Sequence, residues 1–320
     1  MITTNIQEVI SSLNKNEVVA IPTETVYGLA ANIYCEKAVK RIYELKKRPL
    51  NNPLIVHIKS YKALYEVAMN IPINAIRLAE FFWPGPLTLL LDKQSTIPDI
   101  VTSGSSKVAV RMPNHPQTLE LLNQINFPLA APSANPFGCI SPTSAVHVEE
   151  YFGNEINYIL DGGNCKHGIE STIIGFEKEQ AILYRHGSIP IPEIEKVVKK
   201  IKLFTKNDNQ PQAPGMLSKH YSPRTLTYLT DHVLDTIDSF PTKKIGLLLF
   251  QNKIEHTKVV SQEILSSKGN LHEAAKNLFA SLHRLDKLDL DIIIAEVFPD
   301  HDLGKSINDR LCRASSNIYI

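Results

Sequence analysis

The chain has 320 residues, of which 43% are hydrophobic, and its 34 Lys and Arg residues nearly balance its 33 Asp and Glu residues. This length allows a sizeable core and two domains, and the balanced charge excludes a global basic field, so nucleic-acid binding would need a local patch. No apolar run approaches a membrane span, and the first ten residues lack the basic start and apolar core of a signal peptide, so we expect a cytoplasmic protein.

The first predicted elements, over residues 18–58, place polar side chains at the ends of buried segments. Apolar runs between turn residues predict a strand over 18–22, a helix over 36–47 and a strand over 53–58. The polar residues that close or follow these elements are Thr23, Glu24, Thr25, Lys46, Lys47, Arg48, Asn51, Asn52 and His57. Because ligands of α/β proteins bind where strand and helix ends line a shared crevice, this region predicts an anion site.

The same region also has a purely structural interpretation. Three cations in the last turn of a helix complement its dipole, and Thr-Glu-Thr can cap a turn. Taken alone, a solvated helix end is the commoner explanation of Lys46, Lys47 and Arg48. Pro49 and the following Asn-Asn-Pro favour a binding site, because they stiffen the connection and limit where Arg48 can point.

Alternating strand and helix patterns continue to about residue 202 and predict a first domain over residues 1–202. The predicted strands are LTLLL, VAVRM, PLAAP, NYIL, STIIGF and AILYR, and helical periodicity covers residues 73–82, 117–124, 143–151 and 192–201. Within this domain, candidate polar groups lie at strand ends: Arg111, Ser133 with Asn135, Ser171 and Arg185. In isolation a surface arginine is the commoner explanation of Arg111, and the small residues around Ser133 and Asn135 also occur in plain turns.

Residues 203–224 are polar and broken by prolines, which predicts a linker. After it, TLTYL, KKIGLLLF, KVV and DIIIAEVF alternate with helical stretches over 271–287 and 306–314, which predicts a small α/β domain with parallel pairing over residues 225–320. Ala213-Pro-Gly-Met216 and His220-Tyr-Ser-Pro223 give the linker more features than a spacer needs. It is therefore either a lid over an active site or a segment that Met216 and Tyr221 anchor on the first domain by ordinary apolar contact.

The sequence lacks the motifs of several common catalytic and binding sites. Residues 302–306 end like a phosphate-binding loop, but Pro299 stands where that motif needs its first glycine, and GxGxxG, GxSxG and HExxH are absent. The four cysteines are far apart and form no CxxC pair, so neither a zinc site nor a disulfide framework is indicated. Cations, hydroxyls and amides without an evident covalent nucleophile favour the positioning and neutralisation of anionic reactants.

The ordered motifs resemble those of the YrdC-like family. PTETVYGL, the K-x-R pair of Lys46 and Arg48 followed by P-L-x-N-P-L-I-V-H, FWPGPLTLLL, VAVRMP, APSAN, ESTI and YRHG occur in the family's order and approximate spacing. The APGM…HY linker and the trailing domain are similar to its two-domain members, the threonylcarbamoyl-adenylate synthases. The resemblance implies an α/β fold: a twisted mixed sheet forms the catalytic domain around a positively charged cavity, which the linker crosses, and a smaller Rossmann-like α/β domain follows.

The resemblance also implies an activity. Such an enzyme is a nucleotidyltransferase that makes L-threonylcarbamoyladenylate and pyrophosphate from L-threonine, bicarbonate or carbon dioxide, and ATP with Mg²⁺. The adenylate then feeds the threonylcarbamoyl modification of the adenosine next to the anticodon of tRNA. The implied partners are these small molecules, a threonylcarbamoyl transferase that receives the adenylate and, weakly, tRNA.

The family's ligand positions carry over to individual residues of this sequence. Those that match the threonine site are Thr25, His57, Arg111, Ala131 and Ser171. Those that match the ATP site are Arg48, Asn52, Lys107, Ser133, Ser141, Arg185 and Tyr221. Lys46 and Arg48 match the pair with a catalytic role, which leaves Lys47 as a solvated helix-end charge. Lys107 departs from the small hydroxyl residue that is usual in the family, so that contact is either made by the backbone or different here.

Two other functions stay open on the sequence alone. An RNA-binding protein without catalysis could use the same basic cavity, although the chain lacks a recognisable RNA-binding motif and interleaved aromatic residues. Carbamoyl transfer, as in the YrdC-like modules of hydrogenase maturation proteins, is disfavoured because the companion acylphosphatase and zinc-finger segments are missing from this sequence.

Overall fold

The computed structural model describes residues 1–204 and 220–319, with side chains described as far as residue 316. These residues form two compact units. The first comprises Met1–Phe137, Pro142–Lys166 and the described residues from Glu170 to residue 204, and the second comprises Gly138–Ser141, His167–Ile169 and the described residues from 220 onward. Two short segments of the first 202 residues therefore belong to the second unit. The proposed lid residues 213–216 lie outside the described residues.

The first unit contains twelve strands and eight helices among its described residues. The strands are β1 (Ile2–Thr3), β2 (Val19–Ile21), β3 (Gly28–Asn32), β4 (Ile55–His57), β5 (Ala68–Met69), β6 (Leu87–Lys93), β7 (Lys107–Arg111), β8 (Leu129–Ala130), β9 (Ile159–Leu160), β10 (Thr172–Glu177), β11 (Gln180–Arg185) and β12 (Lys202–Leu203). The helices are α1 (Ile6–Asn14), α2 (Glu36–Lys46), α3 (Leu64–Val67), α4 (Ile73–Phe82), α5 (Asp99–Thr102), α6 (Pro116–Gln124), α7 (Ala145–Phe152) and α8 (Ile191–Glu195).

These twelve strands make one mixed sheet in the order β1-β9-β2-β3-β8-β4-β7-β6-β10-β11-β12, with β5 paired to β6. Strand β4 runs parallel to β7 and antiparallel to β8, and β6 runs antiparallel to β7 and parallel to β10. The predicted mixed α/β sheet is thus confirmed. Where two neighbouring strands are antiparallel, the end of one lies beside the start of the other. Motifs that are distant in the sequence therefore meet at one edge of the sheet.

Burial of apolar side chains on the sheet stabilises the first unit. Leu89, Val110 and Val56 on three neighbouring strands are fully removed from solvent, and burying each such side chain contributes about 1.5–3 kcal/mol. Helix α2 covers this core with Val39 and Ile42, which are also fully buried and lie three residues apart on one helical face.

The second unit is a smaller α/β layer. Its strands are β13 (Leu226–Thr230), β14 (Ile245–Leu249), β15 (Val259–Ile264), β16 (Ile292–Glu296) and β17 (Asn317–Tyr319), and its helices are α9 (Val233–Asp238), α10 (Leu271–Asp286) and α11 (Gly304–Ala314). All pairings in the order β15-β14-β16-β13-β17 are parallel. Parallel pairing with crossover helices requires nearly continuous apolar strands, and four of the five residues of β16 are buried.

Two predicted features differ from the structure. The helix predicted over 192–201 ends with α8 at Glu195, whose carboxylate accepts a hydrogen bond from the Ile201 backbone N–H beyond the helix. Strand β3 was missed, because its Gly-Leu-Ala-Ala-Asn sequence carries little β propensity. None of the described helices is both long and apolar enough to cross a membrane.

Candidate active site

The turn after β2 is built by threonine side chains. Thr23 Oγ1 accepts hydrogen bonds from the backbone N–H groups of Thr25 and Val26, each at 3.2 Å, and donates to the Val26 carbonyl at 2.6 Å. Because that proton is committed, the Thr25 hydroxyl donates to Thr23 Oγ1 across 2.9 Å. Both hydroxyls are buried, so the turn holds Thr25 in one position.

Arg111 closes β7 and points its guanidinium at this turn. Its Nη1 donates to Thr25 Oγ1 at 2.9 Å, and its Nε donates to the Gly85 carbonyl at 3.4 Å. Its Nη2 lies 2.7 Å from Glu24 Oε1 in a buried ion pair. Thr25 and Arg111, both predicted to bind threonine, are therefore in direct contact. Glu24, for which no ligand role was predicted, contacts Arg111 as well.

His57 faces Arg111 across the parallel pair β4–β7. Its Nδ1 lies 3.4 Å from the Ile55 carbonyl. Burial, and after it the positive charge of Arg111, lowers the pKa of His57 to about 3. The imidazole is therefore neutral near pH 7. With Nδ1–H directed at a carbonyl, Nε2 is left as a hydrogen-bond acceptor, which suits a hydroxyl or amine of a ligand.

Ser171 and Arg185 form a second buried contact. Arg185 donates from Nη2 to the Ser171 carbonyl at 2.8 Å and to its Oγ at 3.0 Å, and from Nε to the same carbonyl at 3.1 Å. Ser171 Oγ also lies 2.7 Å from Thr88 Oγ1, with both hydroxyls fully buried. Thr88 was not among the predicted site residues, although it is a lone hydroxyl inside the apolar strand LTLLL.

Lys46 is buried rather than solvated. It is 1% exposed, and its Nζ donates to the Ser133 carbonyl at 2.6 Å and to the Asn135 carbonyl at 2.5 Å. The ammonium thus joins the end of α2 to the APSAN turn. Asn135 was noted in the sequence only as a polar turn residue, and its carbonyl is half of this anchor.

Arg48 and Asn52, both predicted at the ATP site, also contact each other. Arg48 Nη2 donates to Asn52 Oδ1 at 2.6 Å and to the Pro53 carbonyl at 2.8 Å, while its Nε donates to the Asn52 carbonyl at 3.0 Å. Lys47 between Lys46 and Arg48 ends α2 in the left-handed conformation with φ of 51° and is exposed. The prediction that only the middle cation is solvated is confirmed.

Several of these groups belong to consecutive strands of one sheet. The strand order β8-β4-β7-β6-β10-β11 carries, in turn, Ala131 just after β8, His57, Arg111, Thr88, Ser171 just before β10, and Arg185. The register that pairs Leu89 with Val110 places Thr88 beside Arg111. Ala131 donates its backbone N–H to the Ile55 carbonyl at 2.9 Å. The sheet thus brings His57, Arg111, Thr88, Ser171 and Arg185 to one edge. Ala131 lies beside Ile55 at the start of β4, away from His57, because β8 runs antiparallel to β4.

Lys107 lies apart from this edge. It opens β7, at the opposite end of the strand from Arg111, and its Nζ is 2.6 Å from Asp92 Oδ1. Over four residues of a strand the two Cα atoms are about 13 Å apart. The hydrogen bond from Lys107 lowers the pKa of Asp92. The structure therefore gives the Lys107 side chain an ion pair and does not bring it to Arg111.

Ser141 and Tyr221 belong to the second unit. His283 Nε2 lies 3.2 Å from the Ser141 carbonyl. Tyr221 is 1% exposed, its ring stacks on Phe279 with centroids 5.5 Å apart, and the Arg310 guanidinium carbon lies 5.3 Å from the ring centroid. The backbone of Tyr221 has φ of 67°, a left-handed conformation that costs a bulky residue energy and that these ring contacts help to hold.

Family models match both parts of the chain. The model Sua5_yciO_yrdC, described as telomere recombination, matches residues 11–187, and the model Sua5_C, described as the C-terminal domain of threonylcarbamoyl-AMP synthase, matches residues 189–316.

Curated relatives and a solved structure agree with these matches. Threonylcarbamoyl-AMP synthase of Pyrococcus abyssi is 41% identical over 315 residues, which cover 95% of this chain and 92% of that protein. The Bacillus subtilis protein of the same name is 38% identical over 321 residues, with 96% and 92% covered. The crystal structure of P. abyssi Sua5 complexed with L-threonine superposes with a TM-score of 0.93 at 39% identity, covering 98% of this chain and 96% of that one. The chain therefore belongs to the threonylcarbamoyl-AMP synthase family, whose members are enzymes of the nucleotidyltransferase class.

Proposed function

We propose that this enzyme forms L-threonylcarbamoyl-AMP and pyrophosphate from L-threonine, bicarbonate or carbon dioxide, and ATP. The names of relatives 38–41% identical support the reaction, and the P. abyssi structure with L-threonine supports the amino acid. The observation that carries the proposal is the buried contact between Arg111 and Thr25, with neutral His57 on the next strand. A fixed guanidinium, a hydroxyl and an imidazole acceptor match the carboxylate and the polar groups of threonine.

In this proposal the contacts of Arg48, Arg185 and Lys46 form the ATP site. Arg48, held by Asn52, and Arg185, held by Ser171, are buried cations whose orientation is fixed by hydrogen bonds. Lys46 fixes the turn that carries the Ser133 hydroxyl. Cations placed before the substrate arrives stabilise phosphate charge without having to reorganise during the reaction.

The proposed chemistry needs no protein nucleophile. The threonine amine adds to carbon dioxide and loses a proton, which gives a carbamate. A carbamate oxygen then attacks the α-phosphorus of ATP, the bond from that phosphorus to the bridging oxygen breaks, and pyrophosphate leaves. Because the threonine carboxylate, the carbamate and the ATP phosphates all carry negative charge, Arg111, Arg48 and Arg185 contribute by holding these groups together and offsetting their repulsion.

Magnesium is proposed as part of the nucleotide substrate. Among the described residues, no group of three or more His, Cys, Asp and Glu side chains could hold a metal ion. Mg²⁺ keeps several waters and commonly binds through substrate phosphates, so it would enter as Mg-ATP.

Pyrophosphate release tests this function. Purified enzyme with Mg-ATP and bicarbonate should release pyrophosphate when L-threonine is present and only at background rate when it is omitted. Arg111→Lys, which keeps the charge but not the two-pronged donor geometry, should lower the rate at low threonine. Equal release with and without threonine would exclude the proposed reaction.

We further propose that the adenylate passes to a threonylcarbamoyl transferase that modifies tRNA next to the anticodon. The product is a mixed anhydride, which water hydrolyses, so a prompt acceptor is chemically required. Adding candidate transferase and tRNA to the assay should move the threonine label into tRNA, and weak tRNA binding by this enzyme would appear as a salt-dependent gel shift.

A further inference from the structure

Glu24 is a buried carboxylate that contacts Arg111 of the proposed threonine site, although no ligand contact is proposed for Glu24 itself. Its Oε1 lies 2.7 Å from Arg111 Nη2, and the two side chains are 2% and 4% exposed. Its Oε2 accepts a hydrogen bond from the Asn114 backbone N–H at 2.9 Å. A carboxylate with so little solvent access is costly unless it is paired. Glu24 and Arg111 therefore depend on each other.

The contacts of Arg111 come from two segments, the turn after β2 with Glu24 and Thr25, and the loop that carries Gly85. Nη1 donates to Thr25, Nε donates to Gly85, and Nη2 faces Glu24. A guanidinium is planar and carries five N–H groups in a fixed fork. Contacts on all three nitrogens define its plane and still leave N–H groups for the carboxylate of a ligand.

Glu24 also joins the two chain segments that build the site. It lies in the turn after β2, next to Thr25, while Asn114 follows Arg111 by three residues after β7. One oxygen thus fixes the guanidinium and the other fixes the backbone that leads away from it. Loss of Glu24 would free Arg111 to rotate about its long side chain.

We infer that Glu24 is a positioning residue, which holds the Arg111 guanidinium in the plane that binds the α-carboxylate of threonine. The inference rests on the proposed function, because it takes threonine as the ligand of Arg111. A positioning role for Glu24 predicts the opposite effect on threonine binding from the one that charge alone predicts. A nearby negative charge repels a bound carboxylate, so charge alone predicts that removing Glu24 tightens threonine binding, whereas positioning predicts that binding weakens.

The test uses the full-length enzyme and the variants Glu24→Gln, Glu24→Asp, Arg111→Lys and Glu24→Gln with Arg111→Lys. Glu24→Gln removes the charge, and Glu24→Asp keeps the charge but shortens the reach. The matched control is Glu17→Gln. Glu17 is also a hydrogen-bonded glutamate, which accepts from Ser12 and Asn157, but it precedes β2, whereas Glu24 follows that strand. Threonine affinity and the KM values for threonine and ATP are measured for each protein.

Both single Glu24 variants should raise the KM for threonine about tenfold, as expected when a charge-assisted contact loses its geometry. The KM for ATP should stay within about twofold of the wild-type value, which also shows that each variant is folded. In the Arg111→Lys background, Glu24→Gln should add less than about twofold, because the two changes act through one contact.

The inference is overturned if Glu24→Gln leaves threonine binding unchanged or tightens it, or if its effect is the same in both Arg111 backgrounds. An equal rise in both KM values would also contradict it, since that indicates general damage. If the wild-type enzyme fails to bind threonine, the proposed function itself fails. If wild type and Arg111→Lys behave as proposed while the Glu24 variants match Glu17→Gln, only the positioning role fails.

Discussion

Arg185 donates to both the carbonyl and the hydroxyl oxygen of Ser171, at 2.8 and 3.0 Å from the same Nη2. Strands β10 and β11 form an antiparallel pair, and this contact ties the start of one to the end of the other. A residue of the proposed threonine site, Ser171, is thus hydrogen-bonded directly to a residue of the proposed ATP site, Arg185.

Arg185→Lys should weaken ATP use while leaving the fold intact. An ammonium cannot donate from two nitrogens in one plane, so it cannot hold Ser171 and bind phosphate together. We expect the KM for ATP to rise about tenfold, in line with the loss of one charged hydrogen bond. Arg41→Lys is the control, because Arg41 is exposed and its ion pairs with Glu44 and Glu155 are long, at 3.7 and 3.9 Å. Unchanged ATP kinetics in Arg185→Lys would remove Arg185 from the ATP site.

Lys46→Met should reduce both stability and turnover. It deprives the Ser133 and Asn135 carbonyls of the ammonium that holds them, and leaving a buried polar group without its charged partner costs about 1–3 kcal/mol. Lys47→Met provides the matched control, since Lys47 is the neighbouring exposed cation. Thermal unfolding and the rate of pyrophosphate release should change for the first variant only. Equal effects of both variants would show that net charge at the helix end matters, not the buried anchor.

His57 should act without changing its protonation state. With its pKa lowered to about 3, it remains neutral at every pH at which enzymes of this kind are assayed. Its removal in His57→Asn should therefore weaken threonine binding without removing an ionisation from the profile of kcat/KM against pH between about 5.5 and 8.5. A profile that loses a step near pH 6.5 in the variant would show that His57 titrates and would contradict the buried, neutral imidazole.

His283 should make the enzyme less stable in mild acid. Burial lowers its pKa to about 4, so between about pH 6.5 and 4 the unfolded chain binds a proton that the folded chain refuses. Stability then falls as pH decreases through this window, by up to about 1.4 kcal/mol per pH unit for one such group. His283→Gln keeps a donor for the Ser141 carbonyl and should flatten this slope in thermal unfolding. A slope identical to that of the wild type would assign the acid sensitivity to other groups.

The sequence predicted those parts of the site whose contacts are local in the chain. Arg48 and Asn52 are four residues apart, and their contact follows from the stiff Pro-Leu-Asn-Asn-Pro connection. Helix α2 and strand β4 were likewise predicted because their apolar periodicity is strong and their flanks carry turn residues.

Contacts between distant segments were beyond reach of the sequence. Thr88 and Ser171 are 83 residues apart, and Lys46 and Ser133 are 87 apart, so only the sheet order and register bring them together. Lys107 was assigned to the ATP site from a family motif, and its ion pair with Asp92 on the neighbouring strand was not visible in the sequence. Glu24 looked like a turn residue because its partner, Arg111, follows 87 positions later.

Direct identification of the product tests the central claim. The enzyme is incubated with L-threonine, ¹³C-bicarbonate and Mg-ATP, and the adenylate is identified by mass spectrometry before it hydrolyses. We predict one product that contains threonine, AMP and a single carbon from bicarbonate, formed in step with pyrophosphate. Formation of AMP and pyrophosphate without the labelled carbon, or no adenylate at all while threonine and ATP both bind, would contradict the account.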